Sequence, residues 1–265
     1  MWLTFGLQSD SDLGFHIPTV LQRLYILGDS LSFYIAKILL PISLAVDYGR
    51  TPDSLNHNML PILTLLSLTL ELVFLASRKL WTYFWLSLFT LLSLAPVSAL
   101  KPFVFQTTSS VADRYLYPVL IGLALLVAHY AKKNWTNKYY FAYALLVGVW
   151  AALSFNQSLV WKDSRSLWTH TLHVNRHSWL AENNLGVAYE QREEYDEALK
   201  HFGRSVQIKP QGICFNNMGA IYLALKQFAK AEVAFQAALQ INPNSQVDAM
   251  GLKLAQTGKE RLFRS

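Results

Sequence analysis

Apolar residues in the first 161 positions come in blocks, with polar residues gathered between them. Five blocks stand out, at roughly 31–46, 59–77, 80–100, 115–131 and 139–161. Four of them approach or exceed the ~17 residues that a helix needs to cross hydrocarbon. The block at 59–77 holds one charge, Glu71, and the three that follow hold none. In a bilayer each backbone amide must bond within its own segment, so these blocks predict helices. The block at 31–46 is shorter, holds Lys37 and is interrupted by Pro41. A tilted span is expected there, with a re-entrant piece or an interfacial helix as the alternatives. Residues 1–20 lack a basic start followed by an apolar run, so no secretory signal peptide is read there.

Beyond position 161 the chain repeats itself. Residues 181–210 align without a gap on residues 214–243, at a spacing of 33. Asn183, Asn184, Gly186, Tyr189, Ala198, Phe202 and Pro210 recur as Asn216, Asn217, Gly219, Tyr222, Ala231, Phe235 and Pro243. This is the tetratricopeptide pattern, two antiparallel helices per unit. The glycine admits the partner helix, Ala and Phe fill the groove, and the proline ends the second helix. A half-repeat is expected at 162–177, carrying Trp168, followed by full repeats at 178–211 and 212–244. An amphipathic helix at 246–263, with Val247, Met250 and Leu254, should cap the stack. Cys214 is the single cysteine, so no internal disulfide forms, and it reads as a buried small apolar residue.

Charge separates the two regions. Charged residues make up 15% of the chain, against about 25% in ordinary soluble proteins. The first 161 residues carry 10 Lys/Arg and 7 Asp/Glu, and the shorter remainder carries 13 and 10. The net charge of +6 is therefore evenly spread, with no basic stripe of the kind nucleic acid requires. Short loops suggest an orientation. Arg78 and Lys79 lie in one loop and Lys132, Lys133 and Lys138 in another, without acids. The opposite loops mix Arg50, Lys101 and Arg114 with Asp47, Asp53 and Asp113. The basic loops should face the cytoplasm, which places the repeats outside it. Trp135, Trp161 and Trp168 suit interfacial positions or ordinary packing.

Two motifs in the first region carry a resemblance. Tyr34-Ile-Ala-Lys-Ile-Leu-Leu-Pro41 leads to Asp47-Tyr-Gly-Arg-Thr51, and Ala112-Asp-Arg-Tyr-Leu-Tyr-Pro118 opens the fourth block. With repeats following the membrane region, the chain from about residue 20 resembles the C-terminal part of the transmembrane and tetratricopeptide-repeat O-mannosyltransferase-like proteins. That resemblance implies a polyprenyl-phosphate sugar as donor and Ser/Thr hydroxyls as acceptors. In that family the catalytic acids follow the first membrane helix. Here the early acids are Asp10 and Asp12, with no apolar span ahead of them, and they read as a solvated tail. The chain is therefore expected to correspond to the second half of such a protein, and no catalytic residue is assigned.

What remains is lipid-phosphate contact. Arg114 lies where an external loop enters the bilayer, and a guanidinium there can pair bidentately with phosphate. Arg50 and Lys101 lie on the same side and join it as candidates. The alternative for Arg114 is a local pair with Asp113 or Asp47. Glu71 should seek a polar partner, with Lys37 as the candidate. His57 reads as a loop hydrogen-bonder, and no metal site or resident cofactor is assigned. On the repeats, Asn184 and Asn217 occupy equivalent first-helix positions. Amides donate and accept together, so they suit a peptide backbone. The arrangement resembles the asparagine ladder in the repeats of O-GlcNAc transferases; the alternative is tolerated polar residues at a helix start.

The expected protein is all-α. It has a tail or interfacial segment at 1–30, a membrane region of four to five helices at 31–161, and a tetratricopeptide domain at 162–265. Its expected partners are a protein or peptide on the concave repeat face and membrane lipid. The bacterial inner membrane is the expected site, or the endoplasmic reticulum if the source is eukaryotic. Two functions compete: an anchored interaction protein, and a portion of an O-mannosyltransferase.

Overall fold

The computed structural model describes residues 19–51, 59–94, 109–134 and 140–264. Within these ranges the side chains of 21, 133–134, 140–143 and 261–264 lie outside the description. Asp10, Asp12, Asp53, His57, Lys101, Trp135 and Lys138 lie outside the described residues. The fold is all-helical among the described residues, and the chain divides into two compact units, 1–158 and 159–265.

In the first unit, α1 runs Val20–Leu39, α2 Leu60–Ser77, α3 Trp81–Leu92, α4 Leu116–Asn134 and α5 Tyr140–Val160. Helix α1 starts within the segment expected as a tail or interfacial segment. Thr19 and Gln22 form a reciprocal capping box, which satisfies amide groups the first turn otherwise leaves open. The helix ends two residues before Pro41, whose ring disfavours helical backbone in the residue ahead of it. Helices α1 and α2 approach closely at Gly28, where a Cβ would collide with the Pro61 backbone. Leu31, Phe33, Tyr34, Leu94, Val111 and Val119 form the core.

By length and composition, two helical segments among the described residues are long and apolar enough to cross a membrane: Leu60–Ser77 and Asp113–Lys132. Helix α3 is apolar but shorter, 12 residues. Their outer faces carry Leu63, Leu66, Leu70 and Val73 on α2, and Ile121 and Leu125 on α4, all exposed.

The second unit is a stack of helices: α6 Ser164–Val174, α7 Trp179–Glu190, α8 Tyr195–Ile208, α9 Gly212–Ala224, α10 Phe228–Ile241 and α11 Gln246–Arg264. Asp163 caps α6 and Ser178 caps α7 through their side chains. The two repeats turn in the same register, at Glu193 and Lys226, both left-handed with φ of 60° and 57°. Gly186 and Gly219 face Phe202 and Phe235, and a Cβ at Gly219 would lie 2.8 Å from the Phe235 ring.

Helix α11 packs with the face next to its apolar stripe rather than with the stripe itself. Val247, Met250 and Leu254 are exposed, whereas Gly251 and Ala255 are buried. The reason is steric. The Phe235 ring already occupies the space between α9, α10 and α11, and a Cβ at Gly251 would collide with it. The small residues therefore turn inward and the larger apolar ones outward.

Candidate functional site

In the first unit, the two sequence motifs meet. The backbone amide of Ser110 donates to the Arg50 carbonyl, which lays the segment around 50 beside the start of the Asp-Arg-Tyr turn. The Tyr34 hydroxyl accepts from the Ala112 amide at 3.0 Å, fixing α1 to the same segment. The Tyr48 hydroxyl lies 2.8 Å from both carboxylate oxygens of Asp113 and accepts from the Ala45 amide at 2.9 Å. Asp47 is buried and accepts from the Gly49 amide at 2.8 Å, an Asx turn that leaves Gly49 left-handed at φ 64°.

The cations converge on aromatic rings. Lys37 Nζ lies 5.5 Å from the Phe33 centroid and 5.0 Å from that of Tyr48. The Arg50 guanidinium lies 5.0 Å from the Phe33 centroid. One ring thus gathers two cations, an arrangement that ring quadrupoles favour most where water is excluded. Arg50 also donates to Asp29 at 2.7 Å. Lys37 donates to the carbonyls of Ile42 and Ser43 at 2.6 and 3.1 Å. Glu71 is engaged instead by Ser87 on α3, at 3.1 Å.

Arg114 is the outermost of these cations. It is exposed, lies 5.1 Å from the Tyr115 centroid and donates to the Tyr115 hydroxyl at 3.4 Å. The cluster as described sets Lys37, Arg50 and Arg114 against Asp29, Asp47 and Asp113. The part played by Asp29 was hidden in the sequence. It lies 21 residues from Arg50, and nothing local connects the two.

In the second unit, the repeated asparagines link neighbouring first helices. Asn217 donates to Asn183 at 3.2 Å, joining α9 to α7. Asn216 donates to Asp248, joining α9 to α11. Asn184 donates within its own helix to the Leu180 carbonyl at 2.7 Å. Both Asn184 and Asn217 are half-buried, so each keeps some surface toward solvent. Glu182 is 6% exposed and bonds His201 Nδ1 at 2.6 Å, and the His201 ring stacks on Tyr189. Lys259 on α11 reaches Glu232 on α10 at 2.8 Å and holds that carboxyl below the usual range.

Cys214 is fully buried, 3.1 Å from the Ser205 hydroxyl, and burial pushes its thiol up. A thiol kept protonated and shielded is a poor nucleophile. Iodoacetamide at neutral pH is therefore expected to leave the native chain unmodified and to label it fully after denaturation, as read by mass spectrometry. Rapid labelling of the folded chain would contradict this placement. Among the described residues, no three His, Cys, Asp or Glu side chains gather in a way that could hold a metal ion.

The tetratricopeptide repeat family model matches residues 179–211 and 213–245. Over 143 residues the chain is 31% identical to Protein O-mannosyl-transferase Tmtc3 of Drosophila melanogaster, covering 51% of this chain and 15% of that protein. It is 27% identical over 139 residues to Protein O-mannosyl-transferase TMTC3 of Homo sapiens, covering 50% of this chain and 15% of that protein. The Mus musculus protein of the same name matches at the same identity and coverage. The chain thus spans about 15% of the length of the curated relatives it matches. Residues 179–245 thus carry two tetratricopeptide repeats, and about half of the chain is similar to proteins named protein O-mannosyl-transferases.

Proposed function

We propose that this chain is a membrane-anchored protein that docks polypeptide on its tetratricopeptide repeats, outside the cytoplasm. The observation that carries this reading is the division of the chain. One unit holds two helical segments of membrane-crossing length and composition, and the other holds two repeats of a protein-interaction class. Orientation rests on the basic loops around Arg78, Lys79 and Lys132, which favour the cytoplasmic side. The repeats then stand on the far side of a bacterial inner membrane, or in the endoplasmic reticulum lumen of a eukaryote.

The orientation is tested by labelling Asn244→Cys in a Cys214→Ala background with a membrane-impermeant maleimide. Asn244 is exposed in the turn before α11. Labelling from the extracytoplasmic face supports the reading, and labelling from the cytoplasmic face alone overturns it.

A second reading rests on the cluster at Tyr48 and Asp113. The first unit would hold a polyprenyl-phosphate sugar for a protein O-mannosyltransferase, with Arg114 and Arg50 toward the phosphate; Lys101, the third candidate by sequence, lies outside the described residues. The exposed position of Arg114, in the turn that the Tyr48–Asp113 contact anchors, supports this reading. Saturable binding of a polyprenyl-phosphate mannose that is lost in Arg114→Ala is the expected result. Equal binding by that variant contradicts it.

A further inference from the structure

The second repeat and the helix that follows it border a cavity with a distinct chemistry. It has a volume of about 430 Å³ and lies where the starts of α9 and α11 meet the end of α10. Ile213, Ile241 and Val247 line it and are 56, 45 and 70% exposed. Asn216 and Asp248 supply its polar wall.

Asp248 is the unusual member, because its residue is only 5% exposed. Its carboxylate takes the amide of Asn216, a neutral donor. Asp248 belongs to none of the four ion pairs among the described residues, and no lysine or arginine lines the cavity. Asp248 sits in the first turn of α11, the end of a helix that favours a negative charge. A buried carboxylate with only neutral donors gains from a cation brought to it.

Beyond the cavity, Met250 and Leu254 continue the exposed apolar row from Val247 along one face of α11. Seven residues of helix rise roughly 10 Å, at about 1.5 Å each. That is the length of about three extended residues.

We infer that this end of the repeat face takes a polypeptide segment with a lysine or arginine next to two or three aliphatic residues. The basic group reaches Asp248, and the aliphatic side chains lie on Val247, Met250 and Leu254. The inference rests on the polypeptide-docking reading above and adds the kind of segment docked.

The test uses the full chain in lipid nanodiscs and three fluorescein-labelled peptides. These are Ser-Lys-Leu-Ile-Ser-Thr, the same peptide with Glu in place of Lys, and Ser-Lys-Ser-Gly-Ser-Thr. The first is expected to bind at least tenfold more tightly than either of the others, by fluorescence anisotropy. Asp248→Asn should bring the Lys and Glu peptides within twofold of each other, while Asp248→Glu keeps most of the discrimination. Met250→Ser changes an exposed side chain and should weaken the first peptide about fivefold without lowering the melting temperature. Equal binding of Lys and Glu peptides overturns the inference, as does discrimination that survives Asp248→Asn. In those cases binding that still slows amide exchange in α9 and α11 leaves polypeptide docking standing. Saturable binding by none of the three peptides counts against both readings.

Discussion

Phe235→Ala is expected to lower the melting temperature of the repeat unit by more than about 10 °C. The ring is 3% exposed and fills the junction of three helices, against Gly219 on α9 and Gly251 on α11. Ala231 and Ala255 complete its surroundings, with Tyr222, Leu223 and Leu252 beyond them. All seven of these neighbours are glycine, alanine or partly buried residues that hold fixed helical positions, so they cannot close the gap. Truncating a buried Phe to Ala costs about 3–5 kcal/mol, including the cavity left behind. In a domain of about 100 residues, each kcal/mol moves the midpoint by roughly 4–8 °C. Repeat arrays are stabilised between nearest neighbours, so loss of this ring uncouples α11 as well. Cys214 alkylation during a thermal ramp reports on this unit alone, because it is the single cysteine. Val233→Ala removes a side chain that is 66% exposed and should change stability by less than about 0.5 kcal/mol. A Phe235→Ala shift no larger than that of Val233→Ala would contradict the packing described.

The second large effect is expected at the junction of the two motifs in the first unit. Asp113→Ala should destabilise that unit by about 1.5–3 kcal/mol, the range for a hydrogen bond to a charged group. The Tyr48 hydroxyl loses the carboxylate that lies 2.8 Å away through both oxygens. Tyr48→Phe removes the same bond and also the acceptor for the Ala45 amide. The two changes share one interaction, so the double variant should cost less than their sum by 0.5 kcal/mol or more. Urea unfolding in mild detergent, followed by tryptophan fluorescence, measures all three. Strict additivity would mean that Tyr48 and Asp113 are not coupled.

What the sequence disclosed followed the range of the interactions involved. The repeats were legible because their determinants are local and recur, a glycine and a phenylalanine at fixed offsets in each unit. The start of α1 was written in Thr19 and Gln22 as a capping box, but the apolar block that marks the helix begins only near residue 31. The answer to Asp29 is Arg50, a tertiary pairing that no periodicity reports. Glu71 found Ser87 on the next helix, 16 residues on, and Lys37 found backbone carbonyls exposed ahead of the following loop. The facing of α11 was misleading for a different reason. Its apolar stripe is conspicuous, but its row of small residues, Gly251, Ala255 and Gly258, is what the Phe235 and Phe228 rings admit. Close packing chose the smaller surface, and the apolar one was left facing outward.

That exposed face is where the functional account is most open to test. Amide hydrogen exchange on the full chain in nanodiscs, with and without an unfolded polypeptide rich in Ser and Thr, addresses it directly. The account predicts that exchange slows on α9 and α11 and is unchanged on α8 and on α10 ahead of its last turn. Protection confined to α8 and α10, or none in the second unit, would contradict a polypeptide-docking role for the first-helix face.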